Sequence, residues 1–107
     1  MSIGPIASNG VKYYGEYNEG KKEGQGKQVW LDYTIYEGFW ENDLPEYRGR
    51  MIYPNGDVYE GNWHEGKRHG KGTLSRSDGS TYIGEWEADR PHGKGIEKYD
   101  NGITYAG

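Results

Sequence analysis

Five tyrosines, Tyr13, Tyr36, Tyr59, Tyr82 and Tyr105, stand 23 residues apart without a slip. A fixed period of this length means that one supersecondary unit is copied along the chain, and that each copy buries its apolar face against the next instead of around a central core. The rest of the chain keeps the same phase. Gly15, Gly38, Gly61, Gly84 and Gly107 follow the tyrosines by two residues, and Tyr17, Trp40, Trp63 and Trp86 follow four of these by two more. Gly26, Gly49, Gly72 and Gly95 recur later in the period, and Gly24, Gly70 and Gly93 precede three of them by two. Gly56, Gly79 and Gly102 close the period, each after Asn or Asp. Four full units therefore run 13–35, 36–58, 59–81 and 82–104, while residues 105–107 open a partial one. Asn9-Gly10-Val11-Lys12 reads as the tail of a preceding unit, so the expected organisation is an N-terminal arm, 1–8, and one array, 9–107.

Composition excludes the alternative of an ordinary globular core. Leu, Ile, Val and Phe supply 14 of 107 residues, a share usual in disordered chains. Ordering a chain of this length costs on the order of 100 kcal/mol, and buried aliphatics at roughly 2–3 kcal/mol each do not offset that. Yet the chain holds 11 Tyr, 4 Trp and 19 Gly, and disordered sequences are poor in rings. The pairing of rings with glycines has a physical reading: a ring can lie flat on backbone where no Cβ stands in its way.

One unit shows how. Tyr59-Glu60-Gly61-Asn62-Trp63 alternates ring and polar residue, which predicts a strand with Tyr59 and Trp63 on one face. His64 to Gly70 reads as a polar turn, a second short strand is expected at about Lys71 to Arg76, and Asp78-Gly79 turns the chain into the next unit. Each unit is then a β-hairpin. Helix is disfavoured throughout, because glycine recurs every few residues and each costs roughly 1 kcal/mol in a helix interior. The fold class predicted is all-β, an elongated twisted array of antiparallel hairpins.

Tyr59-Glu60-Gly61-x-Trp63, then Gly66-Lys67-x-His69-Gly70-x-Gly72 and Asp78-Gly79, resembles the MORN (membrane occupation and recognition nexus) repeat, and Tyr82 to Gly102 matches nearly as well. The resemblance covers residues 9–107. Unit one departs from it with Tyr17 for Trp, Glu23 for His and Tyr33 for the last Gly; unit two replaces the Gly-Lys-x-His-Gly stretch by Asp43-Leu44-Pro45-Glu46-Tyr47. The resemblance implies a rod with a ring-lined groove that serves as an interaction scaffold. Such repeats accompany cytoskeletal, ciliary and junctional proteins, lipid kinases and a methyltransferase, so it does not select one partner.

Catalytic chemistry has little support. Gly66 to Gly72 has three residues between its first two glycines where a phosphate loop has four, lacks the Ser or Thr that would hold magnesium, and precedes no helix. His69 and His92 share a phase, with His64 nearby, but no third ligand set is evident and Cys is absent, so no metal or cofactor is expected. Glu16, Glu37, Glu60 and Glu85 fall on solvated faces, and Ser and Thr lack a nucleophile elbow. The chain reads as non-enzymatic. A net charge of −4 argues against nucleic acid. Zero Cys and the lack of an apolar leader or spanning segment predict an intracellular, cytoplasmic protein, with a cytoskeletal or ciliary setting among the options.

Two surfaces are candidates for binding. Lys67, Arg68 and Lys71, with Arg76 against Glu60, Glu65 and Asp78, leave unit three at +1, and the first three form a weak anionic-lipid patch, which interleaved acids oppose. Trp30, Leu31, Tyr33, Phe39, Leu44 and Tyr47 concentrate apolar side chains in units one and two, and with Trp40, Trp63 and Trp86 of the ring groove they make the expected site for a protein partner. That partner is read as a peptide or a second repeat rod in a larger complex or homo-oligomer. The runner-up is a membrane- or phosphoinositide-associated regulatory module, or the targeting module of a larger enzyme.

Overall fold

A computed structural model describes residues 2–8, 10–102 and 104–106 of the chain. Asn9, Ile103 and Gly107, in phase with the repeat by sequence, lie outside the described residues, as do the side chains of 2–8 and of Tyr105. Ten strands follow one another in a single antiparallel sheet whose spatial order is the chain order. They are β1 (Ser2–Ser8), β2 (Val11–Asn18), β3 (Lys21–Val29), β4 (Ile35–Glu41), β5 (Leu44–Ile52), β6 (Val58–His64), β7 (Lys67–Ser75), β8 (Thr81–Glu87), β9 (Arg90–Lys98) and β10 (Thr104–Ala106). The arm expected at 1–8 supplies β1, which pairs with β2 from Ser2↔Tyr17 to Ser8↔Val11. The molecule measures 47 × 24 × 16 Å, one sheet thick.

Glycine register sets the sheet. Gly4, Gly15, Gly26, Gly38, Gly49, Gly61, Gly72, Gly84 and Gly95 face one another across successive strands, a bare line running from β1 to β9. The tyrosine of each unit lies on that line. A Cβ at Gly26, Gly49, Gly72 or Gly95 would sit inside the ring of Tyr13, Tyr36, Tyr59 or Tyr82 respectively. The hydroxyls of these tyrosines donate to the carbonyls of Glu16, Phe39, Asn62 and Glu85, three residues on, at 2.8–3.3 Å. The indoles of Trp40, Trp63 and Trp86 donate back to the carbonyls of Gly26, Gly49 and Gly72 in the preceding unit at 3.0–3.2 Å. Tyr13, Trp40, Tyr36, Trp63, Tyr59, Trp86 and Tyr82 thus form one chain of edge-to-face contacts with centroids 5.1–5.4 Å apart. All seven are buried and constitute the core. Burial lifts the phenols of Tyr13 and Tyr59 to about 12 and that of Tyr36 higher still, which keeps them protonated donors even in alkaline solution.

Hairpins alternate between two turn types. The longer one closes through Gly56 N–H to Tyr53 O and Gly79 N–H to Arg76 O, with the glycines at φ +95° and +91°. The shorter is a two-residue turn with both residues left-handed: Glu19-Gly20, Asn42-Asp43, Glu65-Gly66 and Ala88-Asp89. This corrects the reading of His64 to Gly70 as turn. His64 pairs directly with Lys67, so β7 begins four residues before Lys71, and Gly70 marks a bulge within the strand.

These short turns carry a second period, twice the first. The tip residues Gly20, Asp43, Gly66 and Asp89 alternate, and so do Lys22, Pro45, Arg68 and Pro91. Asp43 Oδ1 accepts the Lys22 N–H at 2.8 Å and Asp89 Oδ1 accepts the Arg68 N–H at 2.8 Å. Pro45 has no N–H to satisfy, and Gly66 serves there, donating its own N–H to Pro45 O at 2.9 Å. Lys22 then lies over the rings of Trp40 and Tyr13, and Arg68 over Trp86 and Tyr59.

Candidate functional site

The sequence-predicted site residues separate into two populations. Trp40, Trp63 and Trp86 are 1%, 4% and 3% exposed and hydrogen-bonded inside the ring chain, so they have no surface to offer a partner. The expectation of a tryptophan-lined groove is corrected on this point: each indole is covered by the tyrosines of its own and the preceding unit. The remaining six, Trp30, Leu31, Tyr33, Phe39, Leu44 and Tyr47, are exposed or half-buried, and all belong to units one and two.

Two of them occupy backbone that favours glycine. Tyr33 has φ +72° where the equivalent turn residues are Gly10, Gly56, Gly79 and Gly102, all left-handed. Tyr47 has φ +62° at the bulge where the other units place Gly24, Gly70 and Gly93, at φ +70° to +81°. A bulky side chain in this region costs roughly 1–2 kcal/mol. Neither ring recovers that cost by burial, since Tyr33 is 79% and Tyr47 54% exposed.

The surroundings of each differ. Beside the Tyr33 turn, Val11, Trp30, Leu31, Asp32, Thr34 and Met51 line an open, largely apolar trough of about 470 Å³, with Leu31 66% exposed. Tyr47 instead stands on the sheet face opposite the core rings. Its ring meets Phe39 edge-on at 5.2 Å, and its hydroxyl donates to Glu41 Oε1 at 3.0 Å. That hydrogen bond, and the charges of Glu41, Glu46 and Glu23, hold the phenol above its ordinary value. Leu44 opens β5 two residues before Glu46, whose carboxylate accepts from the Glu65 N–H at 2.7 Å and meets His64 Nδ1 at 2.7 Å. The His64 imidazole is raised in consequence, through the Glu46 hydrogen bond first.

The basic cluster of unit three does not form one patch. Arg68 lies over the rings, 4.7 Å from the Trp86 centroid, with its Nε 3.3 Å from Asp89. Lys67 lines a hollow with His64, Glu65, His69, Glu87 and Ala88, and Lys71 a different one with Arg48, Glu85 and Lys94. His64 and His69 come within 5.4 Å between ring centroids, while His92 pairs with Glu87 at 3.4 Å. Among the described residues no group of three or more His, Cys, Asp or Glu is placed to hold a metal ion.

Tyr33 and Tyr47, expected in the partner site and standing where the other units carry glycine, keep the glycine's left-handed backbone, which the sequence reading does not state. The family model for the MORN repeat matches residues 13–35, 36–58, 59–81 and 82–104, the four units set by the tyrosine period. Among curated proteins none matches the chain.

Proposed function

This chain belongs to the MORN repeat family, and on that footing we propose that it is a non-catalytic scaffold whose protein partner docks on the irregular half, units one and two. One observation carries the reading. Tyr33 and Tyr47 hold exposed rings on backbone that every equivalent position gives to glycine. Among the described residues they are the most and third most exposed of the large apolar side chains, with Leu31 of unit one between them. Leu44 at 43% is matched by Ile83, Ile96 and Tyr99 of unit four at 38–45%, where no such backbone is involved. Strain retained without burial marks a surface kept for something other than the fold. The partner is a protein segment in a cytoplasmic assembly, and the core tryptophans contribute rigidity to the platform, not contact.

The test is affinity purification with the tagged chain and with a Leu44→Ala/Tyr47→Ala variant, each checked for its melting temperature. Loss of specific capture at an unchanged melting temperature supports docking on this half. Equal capture by both chains, or collapse of the variant, sinks it. Membrane association has less support, because Lys67, Arg68 and Lys71 diverge; robust co-sedimentation with anionic vesicles at physiological salt would reverse that order.

A further inference from the structure

We infer that Phe39, Tyr47 and Glu41 form a receptor for an arginine side chain of the partner segment, a conclusion that rests on the docking reading above and gives it a chemistry. The argument starts from what the other units do at these positions. In units one and four a carboxylate faces the bulge glycine and is used internally: Glu16 Oε2 accepts the Gln25 N–H at 2.8 Å, and Glu85 Oε2 accepts the Lys94 N–H at 3.4 Å. In unit two Phe39 replaces that carboxylate and Tyr47 replaces the glycine. The internal contact is given up for two rings standing on the solvated face, 5.2 Å apart with planes at 68°.

Charge around the rings is one-sided. Glu41 bonds the Tyr47 hydroxyl through Oε1 only, and Glu23 stands close by, accepting the Asn42 N–H at 3.3 Å. Unit two as a whole carries −3, with Arg48 and Arg50 against Glu37, Glu41, Asp43, Glu46 and Asp57. Three cations of this region stand elsewhere. Lys22 covers Tyr13 and Trp40, Arg48 donates to Asn62 Oδ1 at 3.5 Å, and Arg50 stands in register between Glu37 and Glu60. Among the described residues no cation lies over Tyr47.

The same chemistry is already built into this fold at Arg68, and its ring half again at Lys22. Arg68 rests on Trp86 and reaches Asp89, and Lys22 rests on Trp40 with its own N–H held by Asp43. Ring face plus adjacent carboxylate is an arrangement that holds a guanidinium, which stacks on the ring and directs its planar fork at the oxygens. At Phe39 and Tyr47 the rings and carboxylate are present and the cation is left for a partner to supply.

The experiment is a titration of the full ¹⁵N-labelled chain with the peptide acetyl-Gly-Gly-Arg-Gly-Gly-amide, and with its citrulline counterpart, which keeps the shape and loses the charge. Saturable amide shifts at millimolar arginine peptide, centred on residues 39–48 and Glu23, are expected, with at least a fivefold weaker response to citrulline. Tyr47→Gly should abolish the shifts while keeping the remaining spectrum and the melting temperature, and Glu41→Gln should weaken them several-fold. Equal response to citrulline, shifts centred elsewhere, or an undiminished response in Tyr47→Gly would overturn the inference. Should the arginine peptide fail while capture is still lost in Leu44→Ala/Tyr47→Ala, the receptor is wrong and the docking reading stands; a peptide that fails together with a variant that captures as well as the parent removes both.

Discussion

Units three and four follow the repeat closely, and units one and two break it, yet the two halves share the same core. Tyr36 lies on Gly49 as Tyr59 lies on Gly72, and Trp63 donates to Gly49 O as Trp86 does to Gly72 O. What differs is the surface. At the phases of the longer turn and of the bulge the regular half has Gly70, Gly79, Gly93 and Gly102, whereas the irregular half gives two of the same positions to Tyr33 and Tyr47. The comparison teaches that this architecture separates its requirements: the ring-on-glycine line fixes the sheet, and turns and bulges are free to take on other chemistry at a cost of about 1–2 kcal/mol each.

The largest test of that separation strikes the shared core. Gly49→Ala and Gly72→Ala each place a Cβ inside a buried tyrosine ring, where no flexible end can give way. Each is expected to cost about 3 kcal/mol in urea unfolding. A cost confined to one of them would break the claim that both halves have one core.

A smaller test concerns a polar residue of unit one where units two and three are apolar. Gln28 is buried with Oε1 unpartnered, at the phase that Met51 and Leu74 occupy in the next two units. Gln28→Leu should therefore raise stability by roughly 1 kcal/mol, read as a higher denaturation midpoint. A loss would show that the carbonyl has a role the core does not explain.

The least effect is expected where the halves meet, at His64 and Glu46. The folded imidazole has a raised pKa, so its contribution is fully present below about 6.5, the unfolded value, and fades as pH rises through the higher folded value. Midpoints measured across that window should decline slightly in the parent and stay flat in His64→Gln. A parent that gains stability over the same window would contradict the assigned pairing.

Much of this was legible in the sequence, and the exceptions have physical causes. The period fixed the units, the strand face of Tyr59 and Trp63, and the packing of rings on glycines, because each depends on local spacing alone. His64 to Gly70 misled because polar residues and glycines mimic a turn, whereas the strand there is held by its neighbours, Trp63↔Arg68 on one side and Gly70↔Trp86 on the other. The burial of Trp40, Trp63 and Trp86 is not legible in one unit, because each indole packs between tyrosines of two successive units. The alternation of Gly20, Asp43, Gly66 and Asp89 over Lys22, Pro45, Arg68 and Pro91 is present in the sequence, but at 46 residues, twice the period of the tyrosines.

The central claim is that Tyr33 and Tyr47 are kept for the surface and not for the fold. Urea unfolding of the Tyr33→Gly/Tyr47→Gly double variant tests it most directly. Relief of two left-handed side chains should offset the lost ring contact with Phe39, so the account predicts a free energy of unfolding equal to or above that of the parent. A fall of more than about 2 kcal/mol would show that the rings hold the sheet together, and would contradict the account.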